Sequence, residues 1–268
     1  MLQNTQGGLA GFEHWSPQAY LNTYFKGNEE HEPTLSFIID ETQRIPADAL
    51  ALEIGCGPTV CYWMCLTPYL SGIYLADFLD VNLAEQRKWV LQQPGRFDWA
   101  DYTRMVLRYE GQPTASAHQL AQREQLARQQ VQGYLHCDIT SPDPLGAQHR
   151  QKYDLVVSFY CADSITTSKT AWFSYMKNIF SLLRPGGFFI GGALRACSSY
   201  PVGSLQFPSA QVDEHDFRAV MQECGFEMAS TRVEVAAEGL PTEPEERARA
   251  QNEYNYDALV LASGFIKQ

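Results

Sequence analysis

The chain has 268 residues, 45% of them hydrophobic, with 31 acidic against 20 basic side chains and a formal net charge of −11. That length can bury a full core and suits a single α/β domain, while the acidic balance argues against a nucleic-acid partner, which needs clustered Lys and Arg. No apolar run nears the roughly 18 residues of a membrane helix and no basic-then-apolar leader opens the chain, so a cytoplasmic monomer acting on a small molecule is expected, with no membrane association.

Residues 1–45 read as a helical cap. Helices are expected over 17–25 and 34–45, the first with Ser16 as its cap and Pro17 in its first turn. From 46 to 268 the sequence reads as a sheet with substrate loops. Strand-like runs at 49–54, 72–76, 134–137, 154–161 and 188–194 alternate with helical or loop segments, the pattern of a parallel sheet with crossovers. The segment 89–133 is an addition to that pattern, and its polar stretch 116–132 reads as a solvated surface helix.

A helix over 170–183 is followed by Arg184-Pro185-Gly186-Gly187, a helix stop and a turn into the next strand. Two further runs, 228–235 and 256–262, close the chain and are expected to pair antiparallel, with a Pro- and Glu-rich loop over 239–250 between them. The seven cysteines, an odd number scattered through expected core segments, fit reduced thiols better than a disulfide framework. Cys56, Cys61 and Cys65 match no zinc spacing, so no metal is expected.

The chemistry is carried by Glu53-Ile54-Gly55-Cys56-Gly57-Pro58-Thr59, a glycine turn after the first strand, with Asp77 about 20 residues later at the tip of the second. That pairing holds an adenine nucleoside. Val60 stands where a dinucleotide fingerprint places its third glycine, which disfavours a pyrophosphate and hence a nicotinamide dinucleotide. S-adenosylmethionine is an adenine nucleoside without a pyrophosphate. Gly55 and Gly57 would let the backbone approach its methionyl part, Asp77 would accept both ribose hydroxyls, and Asp138 and Ile139 would meet the adenine.

Tyr20-Leu21-Asn22-Thr23-Tyr24-Phe25, Ile54-Gly55-Cys56-Gly57-Pro58-Thr59, Asp77 with Asn82, Phe97-Asp98-Trp99, Cys137-Asp138-Ile139-Thr140, Pro144-Leu145-Gly146 and Leu183-Arg184-Pro185-Gly186-Gly187-Phe188 resemble, in order and spacing, the nicotinamide, phenylethanolamine and indolethylamine N-methyltransferase family. The resemblance covers nearly the whole chain. It implies a Rossmann-like, seven-stranded class I methyltransferase sheet with helices on both faces and an N-terminal helical lid. It also implies an enzyme that methylates the nitrogen of a small amine, N-heteroaromatic or guanidine-like acceptor. A sulfur or oxygen methyltransferase, or a non-catalytic cofactor sensor, is the alternative.

By the same resemblance Tyr20, Tyr24 and Phe25 are lid aromatics around the cofactor. Gly55, Gly57, Thr59, Cys61, Asp77, Asn82, Asp138, Ile139 and Phe159 are its cofactor contacts, Cys61 and Phe159 replacing polar residues. Asp163 resembles the acid that relatives place near the amine and is the catalytic candidate. Relatives acting on nicotinamide carry an Asp where this chain has Gly192, which disfavours nicotinamide. Arg195 falls near a Glu of the amine-specific relatives, and a guanidinium there would suit an anionic group on the substrate. Tyr20, Asp163, Arg195, Tyr200, Asn255 and Tyr256 make up the expected substrate set, with Asn252 nearby.

Overall fold

Strand β1 (Ala49–Ile54) is apolar except at Glu53 because it lies inside a sheet with partners on both sides. Leu52 and Ile54 point into one core layer, Ala49 and Ala51 into the other. The computed structural model describes residues 11–26, 31–236 and 256–268. In chain order the remaining strands of this sheet are β2 (Leu70–Asp77), β3 (Val131–His136), β4 (Tyr153–Phe159), β5 (Leu183–Arg195), β8 (Arg232–Ala236) and β9 (Ala258–Phe265). They run β3-β2-β1-β4-β5-β9-β8.

The first five strands are parallel, and β9 inserts antiparallel between β5 and β8. The expected antiparallel closing pair is therefore present. The expected turn at Arg184–Gly187 is instead a bulge within β5, since Tyr153 pairs with Leu183 and Leu155 with Phe188. A second, two-stranded sheet is the hairpin of β6 (Ser199–Val202) with β7 (Leu205–Pro208).

On one face, α7 (Lys169–Phe180) and α8 (Glu214–Glu223) pack Trp172, Ile179, Phe217 and Met221 against the sheet. The other face is covered by α2 (Glu32–Glu41), the single-turn α3 (Cys61–Met64), α4 (Asp80–Val90) and α5 (Ala100–Tyr109), with Trp63, Trp89 and Trp99 in that layer. Helix α6 (Ala117–Gln130) starts on a capping box between Ser116 and Gln119 and buries only Leu120 and Ala127, as expected of a surface helix. Helix α1 (Pro17–Tyr24) is capped by Ser16, whose Oγ accepts from the Ala19 N–H.

Strand order reverses direction between β1 and β4, and in such sheets ligands bind beyond the carboxyl ends of the strands at that point. The glycine turn follows β1 there, and Tyr160 and Cys161 follow β4.

Candidate active site

The turn after β1 is held open by its own backbone. Gly55 and Gly57 both adopt positive φ, +64° and +54°, a region that costs other residues energy. A Cβ on Gly55 would lie 2.1 Å from the Cys161 sulfur, whereas nothing lies within 4 Å of the same position on Gly57. Gly55 thus answers to packing as well as conformation, and Gly57 leaves an open face. From below, the Gln86 amide on α4 donates to the carbonyls of Gly57 (3.2 Å) and Thr59 (2.5 Å).

Asp77 links this turn to the next element. Its Oδ2 accepts the Gly57 N–H (2.8 Å); its Oδ1 accepts the Leu79 N–H (2.8 Å) and the Asn82 amide (3.1 Å). Burial raises its pKa, and these donors oppose that rise. Asn82 in turn accepts the Trp15 indole N–H at 2.8 Å, which reaches across from beside the lid helix. Glu53, on the last turn-facing position of β1, is 2% exposed and its Oε2 has no partner. Burial first, and then the charge of Asp77, push its pKa well above the ordinary carboxylate range. The sequence reading passed over Glu53, although an acid on the buried face of an otherwise apolar strand was a visible signal.

Over the carboxyl edge, α1 and the β6–β7 hairpin form a roof. The Tyr24 hydroxyl donates to the Pro201 carbonyl (2.6 Å), and the Gly203 N–H donates to Thr23 Oγ1 (3.2 Å). Phe12 and Tyr200 both pack on Phe207, with centroids 4.7 and 5.5 Å away. Tyr200 donates to the Ser164 carbonyl (3.1 Å), closing the roof onto the segment after β4.

Between roof and glycine turn lies a cavity of about 490 Å³. Aromatic rings dominate its wall, among them Trp15, Tyr20, Tyr62, Phe159, Tyr160 and Tyr256, and Glu53, Asp77 and Asp138 supply carboxylates. Neither Lys nor Arg lines it among the described residues. His31 does, but its Nε2 faces the Tyr24 carbonyl (2.7 Å), its Nδ1 faces the Tyr62 hydroxyl (2.9 Å), and burial lowers its pKa to about 4. It is neutral at physiological pH.

The structure brings together most of the expected site. Tyr20, Tyr24, Gly55, Gly57, Thr59, Asp77, Asn82, Asp138, Ile139, Phe159, Tyr200 and Tyr256 all line this cavity. Cys61 and Phe25 do not: the Cys61 thiol is buried in the core, and Phe25 packs behind the lid against His31, Trp99 and Tyr102. Asp163 lies just behind the wall, 1% exposed, with its Oδ2 3.4 Å from the Leu194 N–H and its pKa pushed up to about 7 by burial. Asn252 and Asn255 fall outside the described residues.

Arg195 also stands away from the cavity. Its guanidinium takes both oxygens of Glu214 (2.8 and 3.3 Å) and Oδ2 of Asp257 (2.5 Å), so its charge is already paired with two acids outside the cavity. At Gly192 a Cβ would sit 2.7 Å from the Val260 carbonyl oxygen, so the close β5–β9 pairing gives glycine a packing reason at that position.

Comparison with known proteins bears on the reaction. The model of the NNMT/PNMT/TEMT family matches residues 6–244. The chain is 28% identical over 221 residues to nicotinamide N-methyltransferase of Homo sapiens, covering 80% of this chain and 82% of that protein. It is 26% identical over 236 residues to indolethylamine N-methyltransferase of Oryctolagus cuniculus, covering 83% and 88%. Among solved structures, the N-methyltransferase NodS from Bradyrhizobium japonicum WM9, in complex with S-adenosyl-L-homocysteine, superposes with a TM-score of 0.52 at 11% identity, covering 93% of this chain and 99% of that one. At that identity the likeness shows the α/β fold alone.

Proposed function

The chain belongs to the NNMT/PNMT/TEMT family, an S-adenosylmethionine-dependent methyltransferase family, and from that premise we propose that it methylates the nitrogen of a small aromatic or heteroaromatic acceptor that carries no anionic group. The carrying observation is the cavity's chemistry beyond the acids that face the cofactor: aromatic walls, no Lys or Arg among the described lining residues, and a neutral His31. A carboxylate or phosphate would be buried there without a counter-charge, at a cost of several kcal/mol. A neutral ring or a cationic amine would meet π faces and acids. On this reading Arg195, paired with Glu214 and Asp257, marks no anionic acceptor.

The described residues fit the cofactor. The open face of Gly57 leaves room for close backbone approach, the orphaned buried oxygen of Glu53 suits an ammonium group, and Asp77 holds both oxygens at the strand tip for ribose hydroxyls. Asp138 and Ile139 would flank the adenine. When bound, the cofactor supplies an electrophilic methyl on a sulfonium. The chain's own task is alignment and water exclusion. Tyr20 and Tyr24 close the roof, and burial first, then the charges of Cys61, Asp163 and Asp77, raise the Tyr20 pKa, so its phenol stays protonated as a donor. Asp163, behind Leu194 and Ser164, acts as a positioning charge for an acceptor amine.

We take the chain as one catalytic domain working as a cytoplasmic monomer. In support, the exposed large apolar side chains Tyr69, Val81, Leu91 and Val235 are separated singletons, and no helix among the described residues is long and apolar enough to cross a membrane.

The test is incubation with methyl-labelled cofactor and a panel of neutral, cationic and anionic ring compounds, thiols and phenols, with products identified by mass spectrometry. Labelled N-methyl product from neutral or cationic members is expected, and Asp77→Asn should weaken cofactor binding about 10- to 100-fold by calorimetry. Cofactor binding without any turnover would favour a sensor, and turnover of anionic members alone would overturn the acceptor assignment.

A further inference from the structure

Helix α1 ends at Tyr24, and its last carbonyls have no partner within the helix. His31 supplies one. A carbonyl only accepts, so the imidazole carries its proton on Nε2, which donates to Tyr24 O at 2.7 Å. Nδ1 is then bare, and the Tyr62 hydroxyl at 2.9 Å must donate to it. Tyr62 stands on α3, directly after the glycine turn. A single directed chain of two hydrogen bonds therefore runs from the helix after the cofactor turn to the end of the lid.

The ring is fixed in the other direction by stacking. It lies 4.1 Å from the Phe25 ring at an interplanar angle of 11°, and Phe25 wedges against Trp99 (5.3 Å) and Tyr102 (5.6 Å). Those two residues belong to the 89–133 addition, at the start of α5, and beside His31 the Glu32 carboxylate takes Arg108 and Tyr109 of the same helix, both at 2.8 Å. The addition, whose purpose the sequence left open, thus braces the lid from behind. Tyr20 and Tyr24, 5.2 Å apart, lie on α1 just ahead of the latched carbonyl.

Resting on the reading of this cavity as a methyltransferase site, we propose that His31 is a positioning residue, latching the lid helix to the helix behind the glycine turn so that Tyr20 and Tyr24 stay over the acceptor. Among the described residues the hydrogen bonds of Gly57 and Asp77 run to each other, Leu79, Asn82 and Gln86 and not to His31 or Tyr62, so the latch acts through the lid rather than through the glycine turn.

The experiment compares His31→Leu, His31→Gln and His31→Asn with the wild type. Gln carries an amide donor where Nε2 stands, Asn reaches only the Nδ1 position, and Leu offers neither. Loss of one such bond corresponds to about a tenfold change. His31→Leu and His31→Asn should lower kcat/KM for the acceptor about tenfold with the cofactor Kd within about threefold, and should speed amide exchange at Leu21–Phe25 by a similar factor. His31→Gln should recover most of both. Equal behaviour of the Gln and Leu variants, or cofactor affinity falling in step with acceptor turnover, would overturn the latch. The exchange measurement decides it even if no acceptor in the panel is turned over, an outcome that would count against the proposed reaction alone.

Discussion

Replacing Asp163 by Asn removes a carboxyl that is 1% exposed, accepts from the Leu194 N–H, its own N–H and the Ser164 side chain, and has its pKa pushed up to about 7 by burial. In the unfolded chain the same group loses its proton near the ordinary Asp value of about 3.9. Between those two values the folded state binds a proton that the unfolded state does not, so stability falls as pH rises, by about 1.4 kcal/mol per unit, and levels off above about 7. The contribution is complete below the unfolded value and gone above the folded one. From pH 5 to pH 8 that amounts to about 3 kcal/mol, or a fall in Tm of roughly 6–12 °C for a chain of this size. Asn does not titrate, so its fixed cost or gain cancels when the difference between wild type and Asp163→Asn is followed across pH. Thermal or urea unfolding in matched buffers from pH 4 to 8.5 gives that difference directly. A difference that stays flat between pH 5 and 8 would refute the burial argument, and with it the role of Asp163 as a group that changes charge near neutrality.

Two other substitutions separate what packing needs from what the site needs. Arg195→Ala should leave the acceptor KM unchanged, because the guanidinium is occupied by Glu214 and Asp257, while unfolding detects a loss of about 1 kcal/mol; a KM raised tenfold for one acceptor class would restore its substrate role. Gly55→Ala drives a methyl into the Cys161 sulfur at a positive φ and should abolish cofactor binding by calorimetry, whereas Gly57→Ala, with open space around its Cβ, should cost only the strain of about 1–3 kcal/mol. Equal effects of the two would show that the turn relaxes.

The strand-turn-strand core was legible because each part is local. The apolar runs of β1 and β4, the positive-φ glycines and the acid ending β2 all lie within short spans whose periodicity and turn chemistry show in order. The β6–β7 hairpin was not, since its pairing of Tyr200 with Phe207 has ordinary turn-rich sequence and is stabilised by rings from Phe12 and Trp15 at the far end of the chain. Cys61 and Phe25 kept the right sequence positions but turned into the core and behind the lid, where neighbours from α2 and α5 complete their surroundings.

The sequence by itself determined the cofactor end, because Glu53 to Thr59 and Asp77 are adjacent pieces of one strand-turn unit whose backbone geometry is set by glycine. Tertiary structure alone decided the acceptor end. Its wall is assembled from the lid, α3, the segment after β4, the β6–β7 hairpin and the start of β9, so neither its shape nor its charge exists in any one stretch. Whether Arg195 offers a cation depends on Glu214 and Asp257, 19 and 62 residues away. With that charge paired elsewhere and His31 held neutral between two partners, the described lining of the cavity carries aromatic rings, acids and neutral polar groups and neither Lys nor Arg.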